Sequence, residues 1–202
     1  MKELTTVDFT KALASKTSVP GGGGASALVG AIGIALGDMV GEFTIGKKKY
    51  VDVEPEIKKL MTEAENLRVE LLDCIEEDAI AFEPLSRAYG IPKDDPNRDD
   101  IMEKCLRDAA AVPLKIMELG CKGIKLQKEF ADKGSVIMIS DAATGVALLE
   151  GAIKGAAVNV KINTKSMKDR EYAENLNQKV DDMLFEYTNL AKEVFDSVYN
   201  RY

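Results

Sequence analysis

Histidine is missing from all 202 residues, and tryptophan is missing with it. The commonest general base and metal ligand is therefore unavailable, so any proton transfer falls to Asp, Glu, Lys, Tyr or Cys. Cysteine is scarce. Cys74, Cys105 and Cys121 stand far apart with no CxxC pair, each within a stretch of helical pattern where a buried thiol is the ordinary outcome. An odd number of thiols and no leader-like segment at the start predict a reducing, cytoplasmic setting. A basic excess is also lacking: 34 acidic residues outnumber 27 basic ones, for a formal charge of -7. That balance argues against nucleic acid as a partner, although it leaves room for a local cationic pocket. Long apolar runs are absent as well. The uncharged stretch from Val19 to Gly37 is rich in glycine and alanine and ends at Asp38. It reads as too short and too weakly apolar for a bilayer, so a soluble core helix and no membrane contact are expected.

No segment alternates convincingly as a strand, and nearly every segment has helical period. The expectation is one all-α domain over 1–202, a bundle of about six helices around a central helix rich in small residues. A short first helix follows Thr5 or Thr6, with Val7, Phe9 and Leu13 as apolar contacts and Asp8 placed to cap with Thr5. The second helix spans roughly Ala25 to Gly46. Gly33, Gly37 and Gly41 recur there every four residues, and since each interior glycine costs about 0.5–1 kcal/mol, close approach of another helix is their reason. Pro55 opens a third helix that runs to about Tyr89. The fourth covers about Ile101 to Ala131, with Pro113 kinking or restarting it. A fifth, again small-residue rich, extends from Ser140 to Asn163. Ser166 with Asp169 marks the cap of the last.

What is present in quantity is glycine, in Pro20–Gly21–Gly22–Gly23–Gly24, at the entry to the second helix. Backbone N–H groups bared there suit an anion, but no Walker lysine follows and no strand precedes. A packing turn and a ligand site stay equal alternatives from pattern alone. At the other end of the same segment stand Lys47, Lys48, Lys49 and Tyr50, which read either as a solvated helix end or as an anion-binding and acid–base cluster. Ile57, Ala64 and Leu71 set a seven-residue step on the third helix that lands next on Asp78. A carboxylate on that apolar stripe needs a partner or carries a raised pKa. Asp38 interrupts the second helix and is another candidate pocket carboxylate. Asp141, with Ser140 as rival, is either a cap of the fifth helix or a site carboxylate. Asn159 and Asn163 lie one turn apart, as a helix ending or as an amide-lined wall.

PGGGGASALVGAIGIALGDMV, FTIGKKKY, DCIEEDAIAF, AAAVP and SDAATGVALLEGAIKGAAVNVKIN occur in an order that resembles the cyclodeaminase domain of formiminotransferase-cyclodeaminase, a group that includes stand-alone methenyltetrahydrofolate cyclohydrolases. The likeness covers nearly the whole chain. It departs from the usual pattern in a fourth glycine and an alanine after PGGG, the serine arriving at Ser26. The resemblance implies an all-helical homodimer that binds folate, with one or more glutamates, in a cleft near the glycine loop, using neither metal nor redox cofactor. It implies either cyclohydrolase chemistry, methenyl-tetrahydrofolate and water giving 10-formyl-tetrahydrofolate, or cyclodeaminase chemistry, formimino-tetrahydrofolate giving methenyl-tetrahydrofolate and ammonia.

On that basis Asp78 or Asp141 is expected to orient the nucleophile and accept its proton, and Lys48 or Lys49 with Tyr50 to protonate the departing nitrogen. Pro20, Gly21, Gly22, Gly23, Gly24, Ser26, Asp38, Lys47, Phe82, Ser140, Asn159 and Asn163 are expected to line the folate pocket. The absence of an attached transferase domain tilts the expectation to cyclohydrolase. A non-catalytic helical scaffold is the alternative from another class, disfavoured by the buried-stripe Asp78 and the clustered lysines.

Overall fold

The computed structural model describes all 202 residues. Six α-helices follow one another: α1 (Thr6–Leu13), α2 (Gly22–Glu42), α3 (Glu54–Ala88), α4 (Arg98–Lys133), α5 (Ile139–Thr164) and α6 (Arg170–Tyr199). One short 3₁₀ turn, Lys48–Tyr50, sits between α2 and α3, and no strand forms. The all-α, single-domain expectation holds.

The glycine ridge explains why α2 is central. A Cβ on Gly33 would meet the Gly145 carbonyl oxygen of α5 at 2.8 Å, one on Gly37 the Gln127 amide of α4 at 2.6 Å, and one on Gly41 the Met61 side chain of α3 at 2.6 Å. Three neighbours thus close on α2 at successive turns, and each approach requires a missing side chain. Buried Gln127 donates through Nε2 to the Gly33 carbonyl at 2.6 Å, tying α4 to α2. Around this seam the large core side chains Ile34, Leu71, Ile116, Ile124, Phe130, Leu149 and Ile153 are almost wholly buried.

Several expected boundaries shift. The helix α2 starts at Gly22 and ends at Glu42, so three of the glycines form its first turn instead of a loop. It is long and apolar enough to cross a bilayer by length and composition, which corrects the expectation that it is too short. In this fold it is packed among α3, α4 and α5. The cap of α1 is as expected, Asp8 N–H donating to Thr5 Oγ1 at 3.1 Å, but only Phe9 of its three apolar residues is buried; Val7 and Leu13 are exposed. Neither Ser140 nor Asp141 caps α5, whose first turn begins one residue earlier at Ile139. Asp169, not Ser166, caps α6 by accepting the Tyr172 N–H at 3.0 Å. Helix α4 continues unbroken through Pro113.

Candidate active site

Proline inside a helix lacks the N–H that would donate to the carbonyl four residues earlier. Pro113 therefore leaves the Ala109 carbonyl free, and Asn163 of α5 takes the position, its Nδ2 donating to Ala109 O at 3.1 Å. The same nitrogen donates to Asn159 O at 2.9 Å. Both amide protons are committed, which leaves the Asn163 side-chain oxygen for a ligand. One turn earlier, Asn159 donates to Gly155 O at 2.8 Å and lies over the first turn of α2, where a Cβ on Gly22 would meet its amide at 2.9 Å.

Opposite these amides, Asp78 projects from α3 onto the N-terminus of α2. Its Oδ2 accepts the Gly24 N–H at 3.0 Å. A Cβ on Gly23 would stand 2.5 Å from the Asp78 Cγ, so only glycine admits the carboxylate here. Burial pushes the Asp78 carboxyl above its ordinary value, and the Gly24 hydrogen bond offsets part of the rise. The first N–H groups of a helix have no internal acceptor, and those of Gly22 and Gly23 find none elsewhere in the chain. They and the positive end of the α2 dipole are offered to a ligand beside Asp78.

These groups share one cavity of about 220 Å³, lined by Gly21, Gly22, Gly23, Asp78, Phe82, Asn159 and Asn163 together with Ser18, Val19, Ala109, Pro113 and Ile162. Pro20 is buried behind it, following a cis peptide bond, and Gly24 reaches it through Asp78. Ser26 is buried, its hydroxyl donating to Gly22 O at 2.7 Å where α2 meets Gly155 of α5, so it holds the first turn and does not face the cavity. Sequence reasoning missed Ser18, Val19, Ala109, Pro113 and Ile162. Of these only Pro113 carried a signal, a proline in mid-helix whose unpaired carbonyl asks for an outside donor.

The other sequence candidates lie elsewhere. Asp38 lines a separate depression between α2 and α3 with Glu42 and Glu65, where burial raises its pKa and the two acids raise it further. Lys47, Lys48, Lys49 and Tyr50 follow the far end of α2, about 30 Å from Gly22 by the rise of a 21-residue helix. There Lys47 Nζ donates to Ser135 Oγ at 3.3 Å, and Tyr50 Oη accepts the Val136 N–H at 3.1 Å, a bond that lowers the phenol pKa. Ser140 and Asp141 begin α5 close behind Ser135 and Val136, at the opposite end of that helix from Asn159 and Asn163. Within one chain, then, the glycine end and the lysine end form two clusters and not one pocket.

Residues 5–182 match the formiminotransferase-cyclodeaminase family. The methenyltetrahydrofolate cyclohydrolase of Methylorubrum extorquens is 37% identical over 194 residues, covering 94% of this chain and 93% of that protein. The formimidoyltransferase-cyclodeaminases of Dictyostelium discoideum and Mus musculus are 34% and 30% identical, over 96% and 94% of this chain. The chain spans 36% of the length of each of those two. A crystal structure of formiminotetrahydrofolate cyclodeaminase from Thermotoga maritima superposes with a TM-score of 0.84 at 28% identity, over 98% of this chain and 96% of that one.

Proposed function

The chain belongs to the formiminotransferase-cyclodeaminase family, and from that premise we propose that it is a folate one-carbon enzyme acting as a methenyltetrahydrofolate cyclohydrolase. The observation that carries the reading is the half-buried Asp78 carboxylate set against the free N–H groups of Gly22 and Gly23. The methenyl carbon is part of an amidinium, cationic and already electrophilic, so the site needs no metal or redox cofactor. It needs a base, a counter-charge and donors for the adduct oxygen.

Asp78 supplies the first two. It accepts a proton from water as the oxygen bonds to the methenyl carbon, giving a neutral tetrahedral adduct. The Gly22 and Gly23 N–H groups steady the adduct oxygen. Asp78 then returns the proton to the departing ring nitrogen as the carbon–nitrogen bond breaks, and the hydroxyl proton leaves to solvent as the formyl group forms. Asn159 and Asn163 hold the ring edge by hydrogen bonds, with Phe82 and Pro113 against its faces.

The cyclodeaminase reaction is the second reading, supported by the Thermotoga maritima structure. A carboxyl whose pKa is raised by burial can also protonate the amino group of the cyclised adduct, which then leaves as ammonia. The two are separated by supplying methenyl- and formimino-tetrahydrofolate in turn. Loss of methenyl absorbance faster than the spontaneous rate, with no ammonia from the formimino substrate, is the expected result. Ammonia release without methenyl hydrolysis reverses the assignment, and inertness toward both removes the folate reading.

The proposal includes a homodimer. The outward side of α2 exposes Ile32, Met39 and Phe43, and beside it Gly151 of α5 has open space where a Cβ would stand. A mid-helix glycine with nothing near it gains a reason if a second copy packs backbone-close. A two-fold that lays this face antiparallel on its copy carries the Lys47–Tyr50 end of one chain toward the Asp78 end of the other. Sedimentation at micromolar concentration is expected to show a dimer; a monomer removes this seam.

A further inference from the structure

The Asp78 cavity, at about 220 Å³, is smaller than the roughly 300–1,000 Å³ that a drug-sized ligand occupies. On the functional reading above, it holds the bicyclic ring of a folate and little more. The benzoyl-glutamate remainder must leave by a neighbouring depression, and there are two.

One opens past Ser18 and Val19, which line both it and the cavity. Its charges are already matched: Glu76 pairs with the Met1 ammonium and Glu83 with Arg87. The other opens past Ile162, which lines both the cavity and a groove of about 580 Å³ between α5 and α6. Three lysines, Lys154, Lys161 and Lys165, line that groove against a single carboxylate, Asp181. Lys161 pairs with Asp181 at 2.5 Å and Lys154 with Glu150 at 2.5 Å, whereas no carboxylate pairs with Lys165. Between the lysines, Val158 and Ile162 are 68% and 60% exposed, an apolar floor with no protein covering it.

The tail to be placed is an aromatic ring followed by carboxylates. The first exit has no cation left over, whereas the groove has an apolar floor and one lysine, Lys165, that no carboxylate neutralises, and so matches both parts. We propose that the α5–α6 groove binds the carboxylate-bearing tail of the substrate, with the benzoyl ring over Ile162 and Val158 and a carboxylate on the unpaired Lys165, Lys161 joining it by exchanging Asp181 for the substrate. Helical rise puts Lys165 about 6 Å from Lys161, at the α5 C-cap end of the groove. Within one chain the lysine run at Lys47–Lys49 stands about 30 Å away, past the other end of α2.

The test is steady-state kinetics of the full chain with methenyl-tetrahydrofolate carrying one glutamate and carrying several. The double variant Lys161→Glu, Lys165→Glu is compared with wild type and with Arg87→Glu at the other exit. Lys165 is exposed and Lys161 half-buried against Asp181, so Lys165→Glu alone serves as a second variant that leaves that ion pair intact, and a melting curve checks the fold of both. The double variant is expected to raise KM roughly tenfold or more for the longer substrate, less for the shorter one, with kcat within about twofold. Arg87→Glu is expected to leave both constants unchanged. Equal KM in wild type and the lysine variant, or a rise confined to Arg87→Glu, overturns the tail path while the functional reading stands. A wild-type chain that turns over no folate overturns both.

Discussion

Asp78→Asn is expected to lower kcat/KM for methenyl-tetrahydrofolate by about 10²–10⁴-fold, the range a positioned general base contributes. Asparagine keeps the shape and can still accept the Gly24 N–H, so the change removes the proton acceptor and the counter-charge and little else. Stability should move the other way. Burial raises the Asp78 carboxyl, so the folded chain prefers it neutral. A group whose folded pKa is raised contributes stability below its unfolded value and loses it as pH rises through the folded value. At neutral pH the ionised carboxylate therefore costs folding free energy, and the Asn variant should melt no lower than wild type. A lost rate with a lowered melting temperature would instead indicate damage to the fold. The wild-type rate should also fade on acidification at a pH above that of an ordinary carboxylate, and this limb should vanish in the variant.

Gly23→Ala is the second large effect. Replacing glycine by alanine inside an unobstructed helix stabilises by about 1 kcal/mol. Here the added Cβ would stand 2.5 Å from Asp78 Cγ and 2.6 Å from Oδ2, so the carboxylate must leave its place on α2. A displacement on the order of 1 Å at a reacting group costs about 10²-fold in rate, and Gly23→Ala is expected to lose at least that much. Adding Asp78→Ala removes the obstruction, so the double variant should regain the melting temperature that Gly23→Ala loses while staying inactive. Full activity in Gly23→Ala would show that the carboxylate need not rest on this turn.

The parts of this site that were legible in the sequence were those set by helical spacing. The seven-residue step from Ile57 reaches Asp78, and the four-residue pair Asn159 and Asn163 faces it. The glycine ridge was legible for the same reason, because repeated glycines in a helix require close neighbours. The beginning of α2 was not. Four glycines have poor helix propensity and read as a loop, yet Asp78 and Asn159 close on that turn and tertiary contact overrides propensity.

The role of Pro113 was also hidden. Its consequence is a freed carbonyl, and which side chain fills it depends on how α4 and α5 pack. Within one chain the union of the glycine and lysine ends is prevented by a quantity that was available from the start. Neighbours along a sequence separated by 21 helical residues stand about 30 Å apart. The homodimer proposed above would bring those ends together across two chains.

Crystallising the Asp78→Asn variant with methenyl-tetrahydrofolate tests the central claim most directly, because the slowed enzyme holds its substrate. The account predicts one water within about 3 Å of the residue-78 side chain and about 3–3.5 Å from the methenyl carbon, the near-attack range. The Gly22 and Gly23 N–H groups should face that carbon. A methenyl carbon bound against Lys47–Tyr50 and remote from residue 78 of either chain would contradict it.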